Sequence, residues 1–96
     1  MKKPMRLEGT IPVVFFKEGR NIVAYSPAVD LSTCGATVEK ARASFKEAMQ
    51  IFFEELISMG TLEIVLKDLG WRIVRNQWVA PQLIARRNEK ISIALV

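Results

Sequence analysis

Apolar and polar residues alternate along the first part of the chain in the pattern of a β-hairpin. Residues 7–16 predict the first strand, because their apolar side chains fall on one face at a period of two. These are Leu7, Ile11, Val13 and Phe15. Residues 21–26 are rich in β-branched and aromatic side chains and predict the return strand, after a turn that contains Gly19. Because Pro12 cannot donate to a ladder, we expect a free edge or a bulge there.

A long amphipathic helix follows a short third strand, which we predict at residues 31–34. Apolar residues recur at three- and four-residue steps from Val38 to Met59, as on one face of a helix. The hydroxyl of Thr37 is suited to cap its first turn, and Gly60 to end it in a left-handed conformation. We interpret the stripe as the side that packs on the sheet, and not as a ligand pocket.

The pattern after Gly60 is less regular. Residues 62–69 predict a shorter helix, and residues 71–74 an extended stretch before a turn. Residues 90–96 predict a strand, because Ile91, Ile93 and Leu95 alternate with smaller side chains. An apolar strand of this kind must pair, either with its own sheet or with a second copy. We therefore expect a homodimer.

These elements predict an α+β fold in the order β-β-β-α. A three-stranded antiparallel sheet carries one long helix, and a short helix and C-terminal strand follow. We assign residues 1–60 to this core and residues 61–96 to a C-terminal extension, a dimerisation element within the same single domain. A chain of 96 residues can form one core without disulfides.

Three features of the sequence predict a cytoplasmic protein that does not enter a membrane. The chain has one cysteine, which is typical of a reducing compartment. The apolar run at residues 13–16 is too short for a signal peptide, and charged residues follow it at once. A membrane-spanning helix needs about 18 or more consecutive apolar residues, and the chain has no such run.

The residues that enzymes use most often are missing or scattered. The chain contains no histidine, the usual general base near neutral pH and a common metal ligand. Its acidic residues do not converge on strand ends, and Cys34 has no base beside it that would make it a nucleophile. Its glycines occur singly, without the spacing of a phosphate-binding loop. We therefore expect a protein that is not an enzyme, with no cofactor and no metal.

The net charge of +4 is unevenly distributed along the chain. Residues 1–20 and 61–96 each carry a net +3, whereas residues 21–60 carry −2. Two tryptophans, Trp71 and Trp78, lie among the basic residues of the C-terminal extension. Such a set suits either stacking on single-stranded nucleic acid or a protein interface, and both alternatives stay open. The candidate residues are Arg72, Arg75, Trp78, Arg86, Arg87 and Lys90.

The middle of the chain carries a family resemblance, over residues 11–56. Its motifs are VAYSPAVDL at residues 23–31, CGATVEKA at residues 34–41, and a helix with KEAM and later FEE. In this order they resemble the HicB family of antitoxins, whose pattern is YxVxxPxLPG, then CxSxGDT, then a helix opening xEEAxxNxxEAIxxxxE. Val29 and Asp30 stand where the family has Leu-Pro-Gly, and Ala36 replaces the acid before Thr37. The extension after Gly60 is neither a helix-turn-helix nor a ribbon-helix-helix.

The resemblance implies a partial ribonuclease-H-like fold without catalysis, and a small HicA-type toxin that cuts mRNA as the partner. Family members neutralise the toxin by covering its active site, and they commonly form dimers. On this basis the exposed side of the helix and the connection after the second strand are candidate contact surfaces. The candidate partner-binding residues of that connection are Pro27, Val29, Asp30 and Leu31. The alternative function is that of a nucleic-acid-binding or regulatory small protein that uses the basic extension.

Overall fold

The structure is a computed structural model that describes residues 7–95, so that Lys2, Lys3, Arg6 and Val96 lie outside the described residues. Its larger sheet is antiparallel and has three strands, with the second strand in the centre. The strands are β1 (Val14–Glu18), β2 (Asn21–Ser26) and β3 (Leu31–Gly35). The long helix α1 (Val38–Met59) packs on this sheet, mainly on β3 and β2. The predicted α+β fold, in the order β-β-β-α, is confirmed.

The C-terminal extension forms a short helix and a small hairpin. Helix α2 (Leu62–Asp68) is followed by the antiparallel strands β4 (Arg72–Val74) and β5 (Gln77–Val79). The two residues between these strands, Arg75 and Asn76, have φ angles of 52° and 64°. Positive φ at both positions is the geometry of the tight turns that match the twist of a two-residue hairpin.

Small residues let α1 approach the sheet closely. Ala24, in the central strand, pairs with Phe15 on one side and Thr33 on the other, and it is fully buried. The hydroxyl of Thr33 donates to the carbonyl of Ala41 on α1 at 3.0 Å. At the end of β3, a Cβ on Gly35 would lie 2.6 Å from the backbone nitrogen of Ala41. Only glycine fits that position without moving the helix.

Both ends of α1 lie where the sequence predicts them. The hydroxyl of Thr37 accepts a hydrogen bond of 3.1 Å from the backbone nitrogen of Lys40, which satisfies one free donor of the first turn. Gly60 ends the helix with φ 72° and ψ 23°, and its N–H donates to the carbonyl of Ile57. This left-handed end is the conformation that glycine adopts at least cost.

One hydrophobic cluster joins the sheet, both helices and the hairpin. Ala24, Ala28 and Val29 come from the sheet and its loop, and Phe45 from α1. The extension contributes four further members, Leu66, Trp71, Trp78 and Ala80. Its first part therefore shares the core of the preceding β-β-β-α unit.

The first strand begins later than predicted. Residues 7–13 have no strand pairing, and β1 starts at Val14, two positions after Pro12. Proline lacks the N–H that a ladder needs, which is consistent with pairing that begins only beyond it. The segment before β1 instead lies beside the second half of α1 and the small hairpin, where Leu7 and Ile11 line a groove.

The prediction of a strand at residues 90–96 is wrong for the single chain. Residues 90–95, the part of this segment that the structure describes, have no regular secondary structure. A strand needs the hydrogen bonds of a neighbour, and no neighbour within residues 7–95 pairs with this segment. Ile91, Ile93 and Leu95 are consequently exposed. Pairing with a second copy stays a prediction.

Candidate functional site

The connection between β2 and β3, residues 27–30, is anchored to the core at Ala28. The backbone nitrogen of Ala28 donates to the hydroxyl oxygen of Ser26 at 3.1 Å, and both residues are fully buried. The indole nitrogen of Trp71 donates to the carbonyl oxygen of Ala28 at 2.7 Å. Both backbone polar groups of this buried residue therefore have partners, and the base of the loop is fixed.

A side-chain hydrogen bond closes the top of the same loop. The hydroxyl of Tyr25 donates to Oδ1 of Asp30 at 3.0 Å. This hydrogen bond raises the pKa of Tyr25, and partial desolvation and the nearby charge of Asp30 raise it further. Asp30 has φ 50°, a left-handed conformation that aspartate tolerates better than most residues. The carboxylate therefore has a fixed position at the protein surface.

The four candidate partner-binding residues differ in their exposure. Pro27 and Asp30 are exposed, whereas Leu31 is half-buried. Val29 is 2% exposed and belongs to the hydrophobic core. The side chain of Val29 therefore lies inside the protein and anchors the loop, and its contact with a partner stays a prediction. A partner can touch Pro27 and Asp30 and the exposed part of Leu31.

The basic candidates of the extension are all exposed, but they lie on two separate segments. Arg72 and Arg75 belong to the β4–β5 hairpin, and Arg86, Arg87 and Lys90 to the irregular chain that follows. This distribution offers basic side chains to solvent along the whole extension. A charged ligand can reach each of them.

Neither tryptophan of the extension is available for stacking on a base. Trp78 is 4% exposed, and Trp71 is also buried. Trp71 packs edge-to-face on Phe53 of α1, with ring centroids 5.9 Å apart. The hairpin turns the indole of Trp78 into the core, so that it is not exposed for stacking in the single chain, and its role as a nucleic-acid or interface residue stays a prediction. The two tryptophans attach the extension to the rest of the fold.

A groove that the sequence did not predict lies between three separate parts of the chain. Residues 7–11, the second half of α1 and the β4–β5 hairpin enclose about 630 Å³. Met49, Phe53 and Ile57 of α1 contribute apolar surface, and Glu54 contributes a carboxylate. One weak indication of this groove is present in the sequence. Phe53 and Ile57 are apolar, but they lie outside the apolar stripe by which α1 is predicted to pack on the sheet.

The face of the sheet away from α1 is partly apolar. Side chains alternate between the two faces of a strand, so that Phe16, Val23 and Cys34 share the row opposite the helix. Phe16 is 52% exposed, and the free thiol of Cys34 is exposed as well. Tyr25, two positions after Val23, lies on this face as well, so that the face extends the surface around the β2–β3 loop.

Within residues 7–95, no group of three or more His, Cys, Asp or Glu side chains is arranged to hold a metal ion. None of the helices in this range is long and apolar enough to cross a membrane. Comparison of the chain with protein-family models, with curated proteins and with solved structures found no match.

Proposed function

We propose that this protein is a non-catalytic, antitoxin-like binding protein. It neutralises a small HicA-type toxin that cleaves mRNA, by covering the toxin's active site. The proposal starts from the resemblance of residues 11–56 to HicB antitoxins. The observation that carries it is the β2–β3 loop, which is held in one conformation by a hydrogen bond accepted by Ser26 and by hydrogen bonds donated by Trp71 and Tyr25.

A loop fixed in advance is favourable for binding a protein. Ordering a flexible loop on association costs free energy, and a loop that is already ordered avoids most of that cost. Here the fixed loop presents the ring of Pro27 and the carboxylate of Asp30 to solvent. A toxin can contact both without a rearrangement of this chain.

The charge of the loop suits the proposed partner. A protein that binds mRNA neutralises phosphates with Lys and Arg side chains. A carboxylate that reaches such a site is electrostatically complementary to it and competes with the phosphates. Asp30 is placed for this role, with the adjacent sheet face around Phe16 and Val23 as the apolar part of the contact.

We place this activity in the cytoplasm. An mRNA-cleaving toxin acts there, and the exposed free thiol of Cys34 is compatible with a reducing compartment.

Co-expression tests the proposal. The product of the small reading frame that adjoins this gene is expressed alone and together with this protein, and growth and co-purification are measured. The proposal predicts that the neighbour alone stops growth, and that this protein restores growth and co-purifies with it. A harmless neighbour, or two proteins that never associate, would contradict it.

A second candidate function is nucleic-acid binding by the basic extension. The observation that favours it is the exposure of all five basic side chains, on the hairpin and beyond it. Because the tryptophans are buried, such binding would depend on phosphate contacts alone, and its affinity would fall steeply with salt. A gel shift over a range of salt concentrations, with Arg86→Ala and Arg87→Ala as the test variants, distinguishes this function from toxin binding.

A further inference from the structure

The C-terminal arm, residues 83–95, exposes large aliphatic side chains that a single copy does not bury. Ile84 is 96% exposed and Leu95 is 94% exposed, and Leu83, Ile91 and Ile93 are exposed as well. Soluble proteins rarely leave large contiguous apolar patches uncovered, unless the patch is an interaction site. We therefore expect the arm to contact an apolar partner surface of limited size.

The groove between residues 7–11, α1 and the β4–β5 hairpin has these properties. Its volume of about 630 Å³ lies in the range of binding pockets, roughly 300–1,000 Å³. Its walls include the apolar side chains of Ile11, Met49, Phe53 and Ile57. An extended segment with alternate aliphatic side chains can place them in such a groove.

The charges of the arm and of the groove are opposite. The arm carries Arg86, Arg87 and Lys90 against a single acid, Glu89. The groove is lined by two acidic residues, Glu54 of α1 and Glu8, and no Lys or Arg of the described residues lines it. This complementarity favours an arm of this sequence as the occupant.

The arm of one copy does not lie in the groove of the same copy. The chain leaves the groove at Gln82, and residues 85–88, with Leu83, line a second cleft against Val13 and the start of β1. The remaining residues, 89–95, are all exposed, and the molecule is elongated, 59 × 28 × 25 Å. The course of the arm along β1 thus leads away from the groove of the same copy.

We infer that the C-terminal arm of one copy docks in the groove of a second copy. Reciprocal exchange of the two arms gives a closed dimer with twofold symmetry, in which each arm-to-groove contact occurs twice. Exchange of a chain end between identical subunits is a low-cost route to a dimer. The inference does not depend on the toxin, since it concerns only copies of this chain.

Cross-linking between single-cysteine variants tests where the arm lies. Both variants carry Cys34→Ser, which removes the native thiol. One variant then has Ile91→Cys on the arm, and the other has Ile57→Cys in the groove. When the two variants are mixed and oxidised, we expect a disulfide-linked pair of the two variants. A matched control replaces Ile57→Cys by Ile64→Cys, on the exposed side of α2 outside the groove, and should give at least tenfold less cross-linked product.

Sedimentation of the full chain provides the second readout. We expect a dimer whose dissociation constant rises at least tenfold in the variant Ile91→Asp/Ile93→Asp, but changes little in Ile64→Asp. A monomeric full chain would overturn the inference, as would a dimer without the arm-to-groove cross-link. A third result would also overturn the inference. It is a disulfide within one chain, formed in dilute monomer, when Ile91→Cys and Ile57→Cys are combined in the same copy.

Discussion

The indole nitrogen of Trp71 donates a hydrogen bond of 2.7 Å to the carbonyl oxygen of Ala28, 43 positions earlier in the chain. Both residues are buried, so the bond is shielded from water. It joins the C-terminal extension to the β2–β3 loop, the loop that we propose as the toxin-binding surface. The extension therefore helps to fix the conformation of that loop.

Trp71→Phe should destabilise the protein through this hydrogen bond. The variant keeps an aromatic ring against Phe53 but leaves the carbonyl of Ala28 without its donor. An unsatisfied buried acceptor costs about 1–3 kcal/mol. Trp78→Phe is the matched control, since it removes the same atoms from another buried indole of the same core. Urea unfolding should show Trp71→Phe to be less stable than Trp78→Phe by that amount, and equal midpoints for the two variants would contradict the role of the bond.

Gly35→Ala should move α1 away from the sheet. The new Cβ would lie 2.6 Å from the backbone nitrogen of Ala41 and 2.8 Å from the backbone carbon of Lys40. Because backbone cannot rotate aside as a side chain can, we expect a loss of about 1–3 kcal/mol, as for overpacked cores. Ser32→Ala, at an exposed position of the same strand, should change the free energy of unfolding by less than about 0.5 kcal/mol. Thermal unfolding that is the same for both variants would exclude close contact at Gly35.

Tyr25 should titrate above the ordinary tyrosine pKa of about 10. Its hydrogen bond to Asp30, with partial desolvation and the charge of that carboxylate, favours the neutral phenol. The folded pKa is therefore raised, so the stabilisation is fully present below pH 10 and is lost as the pH rises through the folded pKa. Tyr25 is the single tyrosine of the chain, which lets absorbance of tyrosinate report it alone. Asp30→Asn should lower the measured pKa, and an unchanged titration would refute the contact.

Asp30→Asn should also weaken toxin binding. Asparagine keeps the shape of the side chain and tolerates φ 50°, so the change removes the charge with little effect on the loop. Charges at the edge of an interface act mainly on the association rate, and we expect a decrease of about tenfold at low salt. Glu18→Gln removes a carboxylate at the opposite end of the sheet and serves as the control. Equal association rates for the two variants, measured by surface plasmon resonance, would remove Asp30 from the interface.

The sequence predicted α1 from Val38 to Met59 correctly, because its signals are local. The apolar stripe, the hydroxyl of Thr37 and the left-handed Gly60 each act within a few residues. The strand order of the β-β-β-α unit followed from short connections between successive strands. Pro27 and Asp30 belong to such a short connection, and their exposure agrees with the sequence pattern, whereas their contact with a partner stays a prediction.

What the sequence did not predict depends on residues far apart in the chain. The burial of Trp78 requires the hairpin to fold back on the core, and its basic neighbours made it look like a surface residue. The groove forms only where residues 7–11, α1 and the hairpin meet. The alternation at residues 90–96 predicted a strand, but residues 90–95 form none in the single chain, because a pattern does not supply the neighbour that a strand needs.

The most direct test of the proposed function is an mRNA-cleavage assay with the purified product of the adjoining reading frame, which we propose to be the toxin. This protein is added in increasing amounts, first as the native chain and then as Asp30→Asn and Glu18→Gln. We predict that cleavage stops at a fixed molar ratio of this protein to toxin, and that Asp30→Asn alone requires a higher concentration. Cleavage that continues at a large excess of the native chain would contradict the antitoxin function.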